Sequence, residues 1–377
     1  MRSLMRYIKI PKYRATNISF MKNFTKLFPV LNQYTYLNTA ASGLLSLPVM
    51  EWRQEHDLDF LVMGSKLKEG QGKLLEGVRE KVGALFGCQP NRVALVPNFS
   101  YGINTLIEGL DRTQTVLLLE GDYPSLCWPF ESRDFPITRI SIDAHLEDRI
   151  MDAFAKAQPD IFAFSVVQWV DGVKLSQDFI KALKTQYPDT LFVADGTQYA
   201  GTETFDFDHS GIDVIGASTY KWMNAGYGNA FFLFKAHVPD RVAPHTTGFN
   251  SVQGKYKAQE GNFLGHFEPG HQDTLNFGSL GAAIDVIHQI GMRQITTAIT
   301  DLSRMAQQAF VERGLLSPTV AQRSGHSSIF NIAVDQDLVA RLEAEDILTI
   351  ARGKGVRVSF HYFNTPTDLE RLLAFLD

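Results

Sequence analysis

Lys221 stands in the run Ser218-Thr219-Tyr220-Lys221-Trp222, a short way downstream of an apolar stretch that ends in Asp195 and Gln198. A lysine amine can form a Schiff base with an aldehyde, and a carboxylate can keep a heteroaromatic nitrogen protonated so that its ring accepts electrons. Most lysines are solvated surface charges, so the pair takes its meaning from what surrounds it. Asp195 follows Leu191-Phe192-Val193-Ala194. A carboxylate among apolar residues needs a cationic partner or carries a large desolvation cost. The other reading is a turn aspartate ahead of Gly196.

Three more positions have chemistry to offer. In Asn98-Phe99-Ser100-Tyr101-Gly102 a strand gives way to a helix, where Ser100 can cap the first turn and free amides can point at a bound anion; a polar residue there is also simply how helices begin. Tyr123 follows Glu120-Gly121 at the end of another apolar run, and its ring either lies flat on a heteroaromatic ligand or packs in a turn. Arg357 is a charge inside the alternating run Val356-Arg357-Val358-Ser359-Phe360. Its planar fork suits a carboxylate, unless the strand is an edge and the side chain faces solvent. Arg352 is near enough to compete for that role. Trp169, Trp222, Tyr34 and His361 either line a pocket or pack.

The elements that must position these residues follow a βαβ rhythm from about Val78 onward. Strands are expected at 93–96, 116–119, 161–167, 191–194 and 214–217, with helices at 78–86, 102–110 and 176–186, which implies a mostly parallel sheet. Ligands then sit beyond the carboxyl ends of the strands, where the polar residues just named fall. Ala230 to Phe234 follows the tight loop Asn224-Ala225-Gly226-Tyr227-Gly228 and reads as an antiparallel return. From Pro239 to Gly270 periodicity fades into a surface or site-covering segment. Helices at 278–290, 297–313 and 367–376 and strands at 328–334 and 355–360 close the chain as a smaller α+β unit. The division is 36–275 for a large domain, and 21–35 with 276–377 for a small one.

Composition limits the rest. At 377 residues the chain exceeds what one hydrophobic core usually fills. Its net charge of -5 disfavours nucleic acid or an anionic membrane as a partner, and no apolar run approaches the length of a membrane span. Cys88 and Cys127 are the only cysteines, with neither a disulfide framework nor metal-ligand spacing, which suits the cytoplasm. Residues 1–20 are basic and lack any acid. They have neither the apolar core nor the cleavage site of a targeting peptide, and read as an upstream extension or misassigned start.

Taken in order, from Tyr36 to the C-terminus, these pieces resemble the class V aminotransferase superfamily of fold type I pyridoxal phosphate enzymes, which holds cysteine desulfurases, kynureninase and isopenicillin N epimerase-like proteins. The resemblance implies that Lys221 is the Schiff-base lysine, that Asp195 pairs with the pyridine nitrogen, and that Gln198 contacts the ring hydroxyl. It puts Tyr123 on the cofactor ring, where desulfurases carry a histidine. Ser100, Ser218 and Tyr220 fall near the phosphate, with Phe99 where a threonine is common. Tyr36-Leu37-Asn38-Thr39-Ala40-Ala41 is similar to the segment that lies by the substrate, which brings in Asn38 and Ala40. Ser165-Val166-Val167-Gln168-Trp169 resembles the next strand end, Val166 replacing the desulfurases' asparagine. Gly270-His271 is similar to a pair that reaches the phosphate from a neighbouring subunit of a homodimer, and Arg357 takes the place of the arginine that binds the substrate α-carboxylate.

A persulfide-forming desulfurase needs a nucleophilic cysteine in the small domain, and no cysteine follows Cys127. That reaction is therefore disfavoured at this stage. The leading expectation is an aminotransferase acting on a small amino acid. A cysteine-independent C–S or other β-lyase and an epimerase are the enzyme alternatives, and a sensor that only binds pyridoxal phosphate or an amino acid is the non-enzyme one, since fold and cofactor do not settle the reaction.

Overall fold

A computed structural model describes residues 24–251, 262–323 and 325–376. The N-terminal extension and the middle of the 239–270 segment lie outside the described residues. A seven-stranded sheet organises the large part of the molecule, built from β2 (Val93–Val96), β3 (Val116–Leu119), β4 (Ile137–Ile140), β5 (Ile161–Ser165), β6 (Leu191–Asp195), β7 (Val214–Ser218) and β8 (Ala230–Phe234). Its order is β2-β8-β7-β6-β5-β3-β4, parallel from β7 to β4, with β8 antiparallel to both its neighbours. The return through Asn224 to Gly228 is as tight as its sequence implies, with positive φ at Asn224, Gly226 and Gly228.

Each central strand is a continuous apolar run because both faces are covered. Val116, Leu118, Ile161, Ala163, Leu191 and Val193 enter one buried cluster, and Leu117, Leu119, Phe162, Phe164, Phe192 and Ala194 enter the other. That period-two division leaves polar groups only at the strand ends. Asp195 and Ser218 are the last residues of β6 and β7, Ser165 is the last of β5, and Asp122 follows β3. All four are buried, so the carboxyl edge of the sheet carries a row of polar groups inside apolar walls.

The second unit has a three-stranded antiparallel sheet, ordered β11 (Ile350–Arg352), β12 (Gly355–Ser359), β9 (Ile329–Ile332). The helices Met292–Glu312 and Pro366–Leu373 pack with it, and β1 (Thr35–Tyr36) pairs with β10 (Ile347–Leu348). Helix Thr274–Ile290 lies against helices Leu47–Met63 and Gln71–Phe86 on the large sheet's side. After β1 the chain bridges to β12 at Asn38 and Ser359 and then runs over the Lys221 loop.

That crossing is close. Gly43 N–H donates to Tyr220 O at 2.8 Å, and Leu44 N–H donates to Asn224 Oδ1, also at 2.8 Å. A Cβ at Gly43 would lie 1.9 Å from Lys221 O, so only glycine lets the two backbones touch. Gly43→Ala should lower the unfolding free energy by about 1–3 kcal/mol, the usual cost of overpacking, and loosen the Lys221 loop with it. Gly72→Ala, where an added Cβ meets nothing within 4 Å, should not destabilise. Chemical denaturation of the two variants beside the parent checks the contrast.

Candidate active site

Asp195 reaches the site at the end of β6 and is held there by the following turn. Thr197 N–H donates to its Oδ1 at 2.7 Å, and the Thr197 hydroxyl also bonds the carboxylate. Thr197 Oγ1 in turn accepts from Ser218 N–H at 3.1 Å, which ties the ends of β6 and β7 together. Burial raises the Asp195 pKa, and the Thr197 bonds and the Lys221 charge oppose that rise. Lys221 is equally buried. Desolvation lowers its pKa, Asp195 pulls the other way, and Arg357 and Arg352 push it further down. The result is an amine that loses its proton far more readily than a surface lysine.

Aromatic rings frame that amine. Lys221 Nζ lies 5.7 Å from the centre of the Tyr123 ring and 5.6 Å from that of Tyr220, and among the described residues it forms no ion pair within 4.0 Å. Tyr220 stacks on Tyr227 at 4.6 Å, and Tyr123 meets Trp169 edge-on at 5.7 Å. Asp122 sets Tyr123. Its carboxylate accepts from Tyr123 N–H at 2.7 Å and from Ser165 N–H at 2.8 Å, joining the segment after β3 to the end of β5. Asp122 is a residue that sequence reasoning passed over, although an aspartate three places past an apolar strand carried a signal akin to that of Asp195.

Arg357 points inward. Pairing of β12 between β11 and β9 makes it a central strand of its sheet, so the solvent-facing edge reading falls away. Its guanidinium donates to Trp169 O at 2.7 Å, while Nε is buried without a partner. Burial, and then the Arg352 charge, lower its pKa to about 10. Gln168 builds the receiving turn by accepting from Val170 N–H and Asp171 N–H at 2.7 and 2.6 Å. Among the described residues its guanidinium bonds only a carbonyl, which leaves a buried cation one anionic partner short.

The remaining expected residues divide. Gln198 donates from Nε2 to Ala40 O at 2.9 Å and accepts from Trp222 Nε1 at 2.7 Å, and Ala40 N–H donates to Ser359 Oγ at 3.0 Å. Ala40 thus braces Gln198, which keeps one N–H for another acceptor. Asn38 Oδ1 is buried with no partner. At the end of β2 the capping residue is Asn98, whose Oδ1 accepts from Tyr101 N–H at 2.9 Å. Ser100 therefore does not cap. It sits in the first turn, exposed, with its hydroxyl 2.8 Å from that of Ser125. Phe99 turns its ring into the core against Phe232, and its N–H donates to Ser218 Oγ at 2.9 Å. An anion at this turn therefore meets the Ser100 amide and the Ser100 and Ser218 hydroxyls, not the Phe99 side chain. His271 is exposed and joins none of these residues within the chain.

Pyridoxal phosphate fits this donor set. Arg357 Nε and Asn38 Oδ1 are buried without partners, Lys221 Nζ lies against the Tyr123 ring, and the first turn of helix Phe99–Glu108 is bonded to Ser218, three residues from that lysine. Trp222 and His361 are structural. His361 Nδ1 accepts from Tyr362 N–H at 2.9 Å, so the Nε2 proton is directed at Trp222 O, also at 2.9 Å. This clamps the C-terminal segment to the Lys221 loop.

Comparison with known proteins follows the same geometry. The family model described as aminotransferase class-V matches residues 35–372. The uncharacterized aminotransferase YcbU of Bacillus subtilis (strain 168) is 22% identical, over 93% of this chain and 96% of that protein. The cystine C-S lyase C-DES, solved with its reaction product cysteine persulfide, superimposes with a TM-score of 0.83 at 19% identity, over 93% of this chain and 98% of that one. A cysteine desulfurase from Thermococcus onnurineus NA1 superimposes with a TM-score of 0.81 at 20% identity, over 93% and 95% of the two chains. These structures share the fold, and the presence of a desulfurase among them gives no support to setting that reaction aside.

The His361 clamp makes a pH prediction. Burial holds its pKa down at about 3, against an ordinary 6.5. Its stabilising contribution is therefore complete above pH 6.5 and is lost as the pH falls toward 3, because only the unfolded chain takes up the proton. Between pH 6.5 and 5 the loss should be about 2 kcal/mol. Urea denaturation at the two pH values should show a His361→Gln variant losing less stability than the parent by about that amount.

Proposed function

Starting from the fact that this chain belongs to the class V aminotransferase family, whose cofactor is pyridoxal phosphate, we propose that it is a transaminase that works at the α-carbon of a small amino acid. One observation carries the reading. Lys221 is a buried amine with a lowered pKa and, among the described residues, no ion pair, and the charges of Asp195 and of the carboxylate-free Arg357 both act on it.

The cofactor, when bound, supplies an aldehyde for amines and a ring that draws electrons from the α-carbon. This chain's residues do the rest. The Arg357 fork takes the substrate carboxylate and turns the α-hydrogen toward Lys221 Nζ. The lysine amine then takes the proton from the α-carbon and can return it elsewhere, which its depressed pKa favours near neutral pH. Asp195 would hold a protonated ring nitrogen with its buried negative charge. Tyr123, with Trp169, would shield the cofactor from water. Ser100, Ser218 and Tyr220 would hold its phosphate.

No enzyme thiol is suited to sulfur transfer in this reading. No cysteine follows Cys127. Burial keeps the Cys127 thiol protonated with a pKa near 12 and raises that of Cys88 to about 11. A cysteine-independent C–S lyase is the second reading, favoured by the same absence and by the overlap with a cystine C-S lyase.

We also place the protein in the cytoplasm as a homodimer. Its two unpaired thiols suit that compartment. No helix among the described residues is long and apolar enough to cross a membrane. Support for the dimer comes from the exposed Phe60, Leu61 and Val62 at the end of helix Leu47–Met63, from exposed Phe249, and from His271, which lies at the surface where a second subunit could receive it.

Two measurements test these readings. An amino donor alone should convert the protein to its amine-loaded form and release a 2-oxo acid, and a second 2-oxo acid should restore the original spectrum. Pyruvate and ammonia formed without any second substrate would replace transamination by elimination. Light scattering should give twice the chain mass, and a monomeric mass would remove His271 from the site.

A further inference from the structure

Arg352 and Arg357 share one face of a hairpin. In the β11–β12 register Arg352 pairs with Gly355 and Ile350 with Arg357. Directly opposed residues project to the same side, and so do residues two apart on one strand. Arg352, Ile350, Gly355 and Arg357 therefore project together, while Val356 and Val358 project into the core. The two arginines are diagonal neighbours, roughly 7–8 Å apart at Cα, within reach of long side chains. Gly355, opposite Arg352, adds no side chain of its own; a Cβ there would lie 2.1 Å from Ile332 O, so glycine lets β9 approach closely.

The hairpin is anchored at the mouth of the site. Asn331 Nδ2 donates to Arg352 O at 2.8 Å. At the tip, a Cβ on Gly353 would lie 3.0 Å from Val170 Cγ1, next to the Trp169 carbonyl that receives Arg357. Arg352 is the exposed member of the pair and Arg357 the buried one. Among the described residues the Arg352 guanidinium forms no hydrogen bond or ion pair, and no acid partners either arginine. The charge of Arg352 is felt by both Arg357 and Lys221. One acidic group satisfies Arg357. The second cation on the same face has nothing to neutralise it inside the chain.

We propose that Arg352 is a specificity residue for a second acidic group, so that the site takes amino acids with an acidic side chain, such as aspartate or glutamate, and their 2-oxo acids. The α-carboxylate meets Arg357 in the interior and the side-chain carboxylate meets Arg352 at the rim. The inference rests on the reading that the site binds an amino acid, and it narrows the substrate class within that reading. A diacid also suits the order of burial. The group with no freedom to move is held by the buried arginine, and the group whose position varies with chain length is held by the flexible, exposed one.

The test compares isosteres that differ in charge. Glutamate and norvaline, and aspartate and 2-aminobutyrate, are titrated against the cofactor-loaded protein by change in its visible band, and succinate and butyrate by calorimetry. The parent should bind each diacid about tenfold or more tighter than its uncharged or singly charged counterpart, the ordinary worth of a hydrogen bond to a charged group. Arg352→Gln should bring that ratio close to one, and Arg352→Lys should keep part of it. A ratio near one in the parent, a ratio unmoved by Arg352→Gln, or an equal loss for charged and uncharged ligands would each overturn the assignment. If no amino acid shifts the visible band, the proposed reaction fails, while the succinate and butyrate ratio still decides the role of Arg352.

Discussion

A lysine and an aspartate buried together at the carboxyl edge of one sheet form the constraint around which the chain is arranged. Taking an amine and a carboxylate out of water costs several kcal/mol each unless partners compensate. The partners here are incomplete on the lysine side. Asp195 is satisfied by Thr197, which is fixed by Ser218, so the carboxylate stays put when nothing else is bound. Lys221 has ring faces around it and, among the described residues, no counter-ion in contact. Such a site is poised for a ligand that supplies both a carbonyl for the amine and a positive charge for the carboxylate.

Beyond its own return through residues 224–229, the Lys221 loop is held from distant sequence. Gly43 and Leu44 bond to it from the N-terminal segment, His361 from the C-terminal one, and Gln198 through Trp222 from the end of β6. Ser359, Ala40, Gln198 and Trp222 form one continuous hydrogen-bonded line from the small sheet to the lysine loop. Movement of β12, which carries Arg357, is therefore coupled mechanically to the loop that carries the amine. The placement of Arg357 and that of the amine share one set of bonds.

The large sheet was readable because its strands are doubly covered and hence continuously apolar. β2, β3 and β8 fall on the expected residues, and β5, β6 and β7 differ by one or two at their carboxyl ends. β4 was missed for the converse reason, since Ile137–Ile140 is a half-exposed edge with Thr138 and Arg139 in it. Helix Leu47–Met63 was missed because its outer half is apolar and exposed, which erases the period a buried stripe would show. Lys221, Asp195 and Tyr123 stood out in the sequence as charged or aromatic residues at or just past strand ends, and Arg357 as a charge inside an alternating strand. Asn98 was hidden behind Ser100 because both are good capping residues and only backbone geometry chooses between them. Gly43 and His361 were out of reach, since their roles exist only where the chain meets itself across hundreds of residues.

The family shares a fold and cofactor among enzymes of different outcome, so the shared part of the account is the lysine itself. Borohydride treatment of the pyridoxal phosphate-loaded protein, followed by proteolysis and mass mapping, measures that directly. The account predicts a single pyridoxyl-modified residue at Lys221, with no label after Lys221→Ala. A label on another lysine, or none in the loaded parent, would contradict it.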